Sequence, residues 1–361
     1  MANAIRDPIP IIDFIVNLDY SCSIVTIGFS KLLKRSVFMC QLKLTNLKDK
    51  NRLKQYFYNI NFTVYEENLC KMEMKYLFHK VPKDKYFLSY HYVDPSRSPF
   101  IKQCISIIYT GNTLEDIINE IIINNLSYEK FKVRYINVHN ESISFEKRRK
   151  IEYKIGFNIA GKAEMKYPKV ILGVTKVYGK WILGEYSENK SDLEFHNRKP
   201  YCYSNALGVR VARALVNIAV SNNLKSKIVD PCCGIGTVVI EALSMGIDIK
   251  GYEINPCIAE NAKKNLEFFG YDNVITHGNM HNLQDTFDAA IVDLPYGLFS
   301  PTTLKEQIAI INTTRRIANT AVIVTLENMD QYILSCGFNI VDRCYVFKGK
   351  FTNKKSSWHL P

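Results

Sequence analysis

The sequence predicts two halves: an α/β second half, with a mainly parallel sheet covered by helices on both faces, and an α+β half in front of it. Three observations predict this. From residue 204 onward, apolar runs of strand length alternate with amphipathic runs of helix length, which is the rhythm of βαβ units. A glycine-bearing loop, DPCCGIGT at 230–237, lies between one such strand and the helix after it. Charge divides at nearly the same place: residues 201–361 hold 15 Lys/Arg against 14 Asp/Glu, whereas residues 1–200 hold 32 against 21. A near-neutral module joined to a basic one suggests catalysis coupled to a polyanionic partner.

Residues 1–54 stand as an unassigned N-terminal extension, with strand-like runs at 9–16 and 22–29 and a charged linker at 46–54. Residues 55–190 read as the α+β region. Its elements begin with a short strand at 62–64 and a helix at 66–78, whose apolar side is Leu69, Met72, Met74 and Leu77. A strand at 86–92 and a break around Pro95 and Pro99 follow. Thr113 and Asp116 form a capping box, and Leu114, Ile117, Ile118, Ile121 and Ile122 make one helical stripe. Residues 131–138 alternate like a strand. The run 145–160 is helical, with Ile151, Ile155 and Ile159 at four-residue spacing and a basic start at Lys147, Arg148, Arg149 and Lys150. Residues 170–178 and 180–186 form a hairpin around Gly179.

Residues 191–203 form a linker, and 204–361 the α/β domain. Helices are expected at 206–220, 238–245, 256–269 and 304–318. Strands are expected at 227–229, 249–252, 273–276, 289–292 and 321–326. Several classes drop out. The ten cysteines are scattered with no CxxC pair, so they read as reduced thiols and no metal site is expected. The apolar stretch 9–29 is interrupted by Asp13, Asn17 and Asp19, too soon for the ~20 residues of a spanning helix. No basic, cleavable leader precedes it, and a cytoplasmic protein without membrane contact is expected.

The chemistry-bearing residues lie where the predicted strands end. Gly234 and Gly236 let the 230–237 backbone approach a ligand closely. A dinucleotide fingerprint would want a third glycine at 239, where valine stands. Glu253 ends the next strand, in GYEINP, where a carboxylate can accept both hydroxyls of a ribose. A nucleoside with an amino-acid tail therefore fits better than a dinucleotide. Asp293, in DLPYG, ends the strand at 289–292. An exocyclic amine on a base is a poor nucleophile, because its lone pair is delocalised into the ring. A carboxylate and a backbone carbonyl that accept its two N–H bonds localise and aim that lone pair. An adjacent tyrosine ring can stack on the base.

DPCCGIGT, GYEINP, HGNMHN and DLPYG, in this order and spacing, resemble the amino-methyltransferases with a DPPY-type motif. The chain is most similar to the tRNA guanosine-10 N2-methyltransferase family, in a bacterial branch. NLCKMEMKYLF at 68–78, KPYCYSNALGVRVARALVNIA at 199–219 and the 169–186 hairpin carry the resemblance beyond the catalytic motifs, over roughly residues 55–350. It implies a Rossmann-like class I methyltransferase domain behind a ferredoxin-like and THUMP-type RNA-binding region. It implies S-adenosylmethionine as cofactor, held by Asp230, Gly234, Gly236, Thr237, Glu253 and the Asn279 neighbourhood. Asp293, Pro295 and Tyr296 would meet a guanine, and the basic run 147–150 would meet tRNA. The identity of any small activating protein partner is not readable from these residues.

Four departures from the family pattern stand out. Leu294 replaces the first proline of DPPY, although the amine-accepting carbonyl is assigned to Pro295. Asn279 stands where an acid often meets the adenine amino group. Residues 1–54 have no counterpart, and 350–361 do not read as the closing antiparallel strand. Two other readings stay open: an amino-methyltransferase acting on rRNA guanine N2 or DNA adenine N6, and an inactive methyltransferase-like RNA-binding protein.

Overall fold

A computed structural model describes residues 9–13, 21–26, 53–138, 143–203, 206–295 and 302–347. Two short strands open the chain, β1 (Ile9–Asp13) and β2 (Ser21–Thr26). The next elements are β3 (Tyr56–Ile60), α1 (Glu67–Phe78), β4 (Tyr86–Ser89), β5 (Ile101–Gly111) and α2 (Leu114–Ile123). Then come β6 (Phe131–Tyr135), α3 (Phe145–Asn158), β7 (Val170–Val177) and β8 (Lys180–Glu188). The strands β3 to β8 make one six-stranded sheet in the order β4-β3-β5-β8-β7-β6, antiparallel except for the β6–β7 pair. Helices α2 and α3 bury Ile117, Ile121, Ile151 and Ile155 against Phe131, Leu172, Val174 and Leu183 of this sheet. The Thr113–Asp116 capping box forms as expected. The strand expected at 62–64 does not: the pairing segment is Tyr56–Ile60, and Val64–Glu66 is a 3-10 turn leading into α1. Aromatics at 56, 57 and 58 suit a pleated surface better than the single Phe62.

The remaining elements are α4 (Leu193–His196), α5 (Val209–Val220), β9 (Ile228–Asp230), α6 (Thr237–Ser244), β10 (Ile249–Glu253) and α7 (Pro256–Phe268). They are followed by β11 (Ile275–His277), β12 (Phe287–Asp293), α8 (Leu304–Ile317), β13 (Ala318–Thr325), α9 (Asp330–Ser335) and β14 (Phe338–Phe347). Strands β11, β10, β9, β12 and β13 are neighbours in that order and all run parallel. The order reverses between β9 and β12, so a crevice opens at their carboxyl ends, where open α/β sheets bind ligands. This is a Rossmann-like sheet.

Its far edge differs from a simple reading of the C-terminus. β1 and β2 each pair with both β13 and β14, β1 parallel to them and β2 antiparallel. The antiparallel position between β13 and β14 is therefore held by Ser21–Thr26, while 350–361, which do not read as a closing strand, lie outside the described residues.

Apart from the cluster under α2 and α3, the two sheets share a core. One apolar cluster runs from Tyr58, Leu69, Met74, Leu77 and Phe100 to Leu215, Val216, Val229, Ile291 and Phe338. Polar bonds reinforce the joint between α1 and α5. The Arg210 guanidinium donates to both Glu66 oxygens at 2.6 and 3.1 Å and to the Pro99 carbonyl at 2.8 Å. Asn217 donates to Glu73 at 2.6 Å, and Ser98 donates to the other Glu73 oxygen.

Candidate active site

Three acids end three adjacent strands: Asp230 on β9, Glu253 on β10 and Asp293 on β12. Parallel neighbours lie ~4.8 Å apart, so the order β10-β9-β12 puts the carboxylates side by side in the crevice. Asp230, in the middle, is 4% exposed. Burial pushes its carboxyl well above the usual range, and the charges of Asp293 and Glu253 push the same way. The Cys232 N–H donates to it and acts against them. A crevice this acidic suits a ligand that carries positive charge.

The loop after Asp230 is shaped by two glycines in the left-handed region, Gly234 at φ +53° and Gly236 at φ +80°, a region costly for residues with a Cβ. A side chain built on Gly234 would meet no atom within 4 Å, so the backbone there faces open space. Glu253 holds this loop as well as ending its strand. One carboxylate oxygen accepts the Gly234 N–H at 3.0 Å and the other the Asn255 N–H at 2.8 Å. Each oxygen keeps a second lone pair for a hydroxyl. The Thr237 hydroxyl, at the first turn of α6, is buried without a hydrogen-bond partner among the described residues. An open cradle, a free hydroxyl and a ring of acids together fit a nucleoside ligand with a cationic centre and a polar tail.

Asn279 caps the short 3-10 turn Met280–Asn282, and its side-chain oxygen accepts the His281 N–H at 2.9 Å. One lone pair remains for an adenine amino group. His281 and Arg316 brace this turn. The His281 ring bonds Thr313, and Arg316 donates to the carbonyls of His281 and Leu283. Arg315 donates to the Gly337 carbonyl at 3.1 Å.

Asp293 is half-buried, and Leu294 is buried with its N–H on the Val324 carbonyl at 3.0 Å. The leucine thus adds to the core instead of lining the crevice. The Pro295 carbonyl accepts from the Gln307 side chain at 2.8 Å, which leaves one lone pair for a substrate amine. Tyr296 lies outside the described residues. Cys232 and Cys233 are no nucleophiles: burial and the neighbouring acids push both thiols far above their usual range.

The basic run changes character on folding. Four consecutive residues wrap a whole helical turn, so Lys147, Arg148, Arg149 and Lys150 do not form one patch. Arg149 pairs with Glu152 at 2.9 Å, and Arg148 sits 5.9 Å from the Phe145 ring. Helical spacing instead groups Lys147, Lys150 and Lys154. Beside them Tyr153 and Phe157 are 70% and 75% exposed, with ring centroids 5.9 Å apart. No sequence pattern marked these aromatics, because an apolar residue on a helix is ordinarily read as core.

Comparison with known proteins decides the class of the second half: residues 196–327 match the family UPF0020, described as "RMKL-like, methyltransferase domain". This part of the chain is a methyltransferase domain. Its cofactor is S-adenosylmethionine, which the sequence resemblance assigns to Asp230, Gly234, Gly236, Thr237, Glu253 and Asn279. The protein is also similar to two archaeal proteins named tRNA (guanine(10)-N2)-dimethyltransferase. The one from Pyrococcus abyssi is 36% identical over 119 residues, which is 31% of this chain and 34% of the relative. The one from Methanothermobacter thermautotrophicus is 25% identical over 199 residues, 53% of this chain and 59% of the relative. The chain thus spans between a third and three fifths of these relatives' length. Among solved structures, TrmN from Thermus thermophilus aligns over 78% of this chain and 91% of its own at 13% identity and a TM-score of 0.37. SMU.472, complexed with SAH, aligns over 83% and 100% at 13% identity and the same TM-score. Nothing rests on structural likeness at these scores, and the fold stands on its strand order. No helix among the described residues is long and apolar enough to cross a membrane.

Proposed function

We propose that the protein transfers a methyl group from S-adenosylmethionine to the exocyclic N2 amine of a guanosine in tRNA, at position 10. The observation that carries this reading is the Asp293–Leu294–Pro295 turn, which places a carboxylate and a carbonyl at the switch point beside the glycine cradle. Two acceptors suit an amine with two N–H bonds. The names of the two archaeal relatives support guanine N2 and tRNA.

The cofactor supplies an electrophilic methyl group on a positively charged sulfur. The chain's own residues do the rest. Glu253 would hold the ribose hydroxyls, and the 234–236 backbone would leave room for the amino-acid tail. Asp293 would accept one N–H of the guanine amine, aim its lone pair and help to take its proton as the methyl arrives. For this the base must leave its stack and enter the crevice. Residues 55–190, read as a THUMP-type region, would hold the RNA through the Lys147, Lys150 and Lys154 face of α3, with Tyr153 and Phe157 available for stacking.

Nucleoside mass spectrometry of unmethylated tRNA incubated with protein and cofactor tests the reading, with Asp293→Ala as control. N2-methylguanosine that disappears with the variant is expected. Methylated rRNA guanine or DNA adenine in its place would move the target. Methylation of no nucleic acid by protein that binds the cofactor would leave an inactive RNA-binding module.

A further inference from the structure

The turn that carries Asp293 is held from two neighbouring elements, β13 and α8. Leu294 still belongs to the sheet through its bond to Val324. Pro295 has no N–H, so its carbonyl is its only main-chain group able to form a hydrogen bond. That carbonyl accepts from the Gln307 amide at 2.8 Å. Gln307 is itself well placed to hold it. Thr303 and Glu306 form a capping box that fixes where α8 begins. The Gln307 N–H bonds the Thr303 carbonyl at 3.1 Å. One turn further on, Ile310 and Ile311 are buried in the core, which locks the helix to the sheet.

We propose that Gln307 is a positioning residue for methyl transfer, fixing the direction of the Pro295 carbonyl and with it the turn that presents Asp293 to the substrate amine. This rests on reading the 293–295 turn as the amine-binding element. A carbonyl oxygen accepts two hydrogen bonds. With one taken from α8, the other direction is set before substrate arrives, so little of the amine's orientation has to be won during reaction. Gln307 makes none of the hydrogen bonds of the cofactor loop, so its effect belongs to the transfer step.

The test compares Gln307→Ala, the isosteric Gln307→Glu, which sets an acceptor against the carbonyl, and Gln307→Lys, which keeps a donor of similar reach. Three quantities are read on each full-length variant: the single-turnover methylation rate at saturating RNA, the cofactor Kd by calorimetry, and amide hydrogen exchange of Asp293, Leu294 and residues 302–307. The expected result is a rate loss of roughly tenfold for Ala, a larger loss for Glu and partial rescue by Lys. The cofactor Kd should stay unchanged and exchange at Asp293 and Leu294 should quicken. Wild-type rates in both Ala and Glu overturn the proposal. A rate loss matched by an equal loss of cofactor affinity also overturns it, because that is general damage to the domain. If the wild-type protein methylates no nucleic acid, the functional reading fails by itself. Hydrogen exchange then decides the anchor, with unchanged exchange refuting it and faster exchange supporting it.

Discussion

The proposed cofactor end and substrate end of this site lie on adjacent strands yet are held in different ways. At the cofactor end, left-handed glycines and the Glu253 carboxylate shape the loop from within its own motifs. At the substrate end, the turn after β12 depends on α8 and β13, through Gln307 on Pro295 and Val324 on Leu294. Local motifs thus define one end, and distant packing defines the other. The lesson is that damage to the sheet's far edge or to the joint should reach the substrate end first.

The largest test of this difference is removal of residues 1–26. The β2–β14 register pairs six residues on each strand, and at about 1 kcal/mol per net hydrogen bond the loss is roughly 4–6 kcal/mol. The truncated chain should melt at clearly lower temperature, with β13 and β14 amides exchanging faster and β9 and β10 amides changing least. An unchanged melting temperature would show that β1 and β2 do not complete the sheet.

Next in size is the contrast between Asp293→Ala and Glu253→Ala. Losing the carboxylate that aims the amine should cost roughly 10²–10³ in kcat, with cofactor affinity nearly intact. Losing Glu253 should weaken the cofactor by roughly 10–150-fold, the worth of a charge-assisted hydrogen bond. Calorimetry beside single-turnover rates separates the two. Equal loss of both quantities in both variants would erase the distinction between the ends.

The same distinction explains what could be read from the sequence. The cofactor loop, the Thr113–Asp116 cap and the 170–186 hairpin are local patterns, and the structure has them nearly where they were expected. β5 and β14 were missed because polar residues interrupt their apolar runs. Gln103 is buried in β5 but bonded to Tyr186. In β14, Asp342 and Arg343 find Lys75 and Asp330 on other elements, at 2.6 and 2.8 Å. Gln307 was invisible for a related reason. One residue after a capping box it looks like helix surface, and only the docking of α8 gives it a partner. The run 147–150 was legible as charge but not as a surface, because helix geometry redistributes it.

The smallest expected effect concerns the joint between the halves. Glu73 is fully buried, and burial pushes its carboxyl up to about 7, against the Ser98 and Asn217 hydrogen bonds and the Arg97 charge, which act downward. Folded protein therefore keeps this proton to higher pH than unfolded chain does. Its contribution to stability is greatest below about 4.5, falls as pH rises, and levels off above about 7. The decline is on the order of 3 kcal/mol. Glu73→Gln keeps a polar group of the same shape and removes the titration, so its melting temperature should lack that decline and exceed wild type at pH 8. Because Glu73 joins α1 to α5 between the two halves, the Michaelis constant for RNA should share the pH dependence in wild type and lose it in the variant. Cofactor affinity has no such link to α1, so its pH profile should be the same in both proteins. A cofactor profile that changed with Glu73→Gln would mean that the joint reaches both ends of the site, and the separation between them would fail.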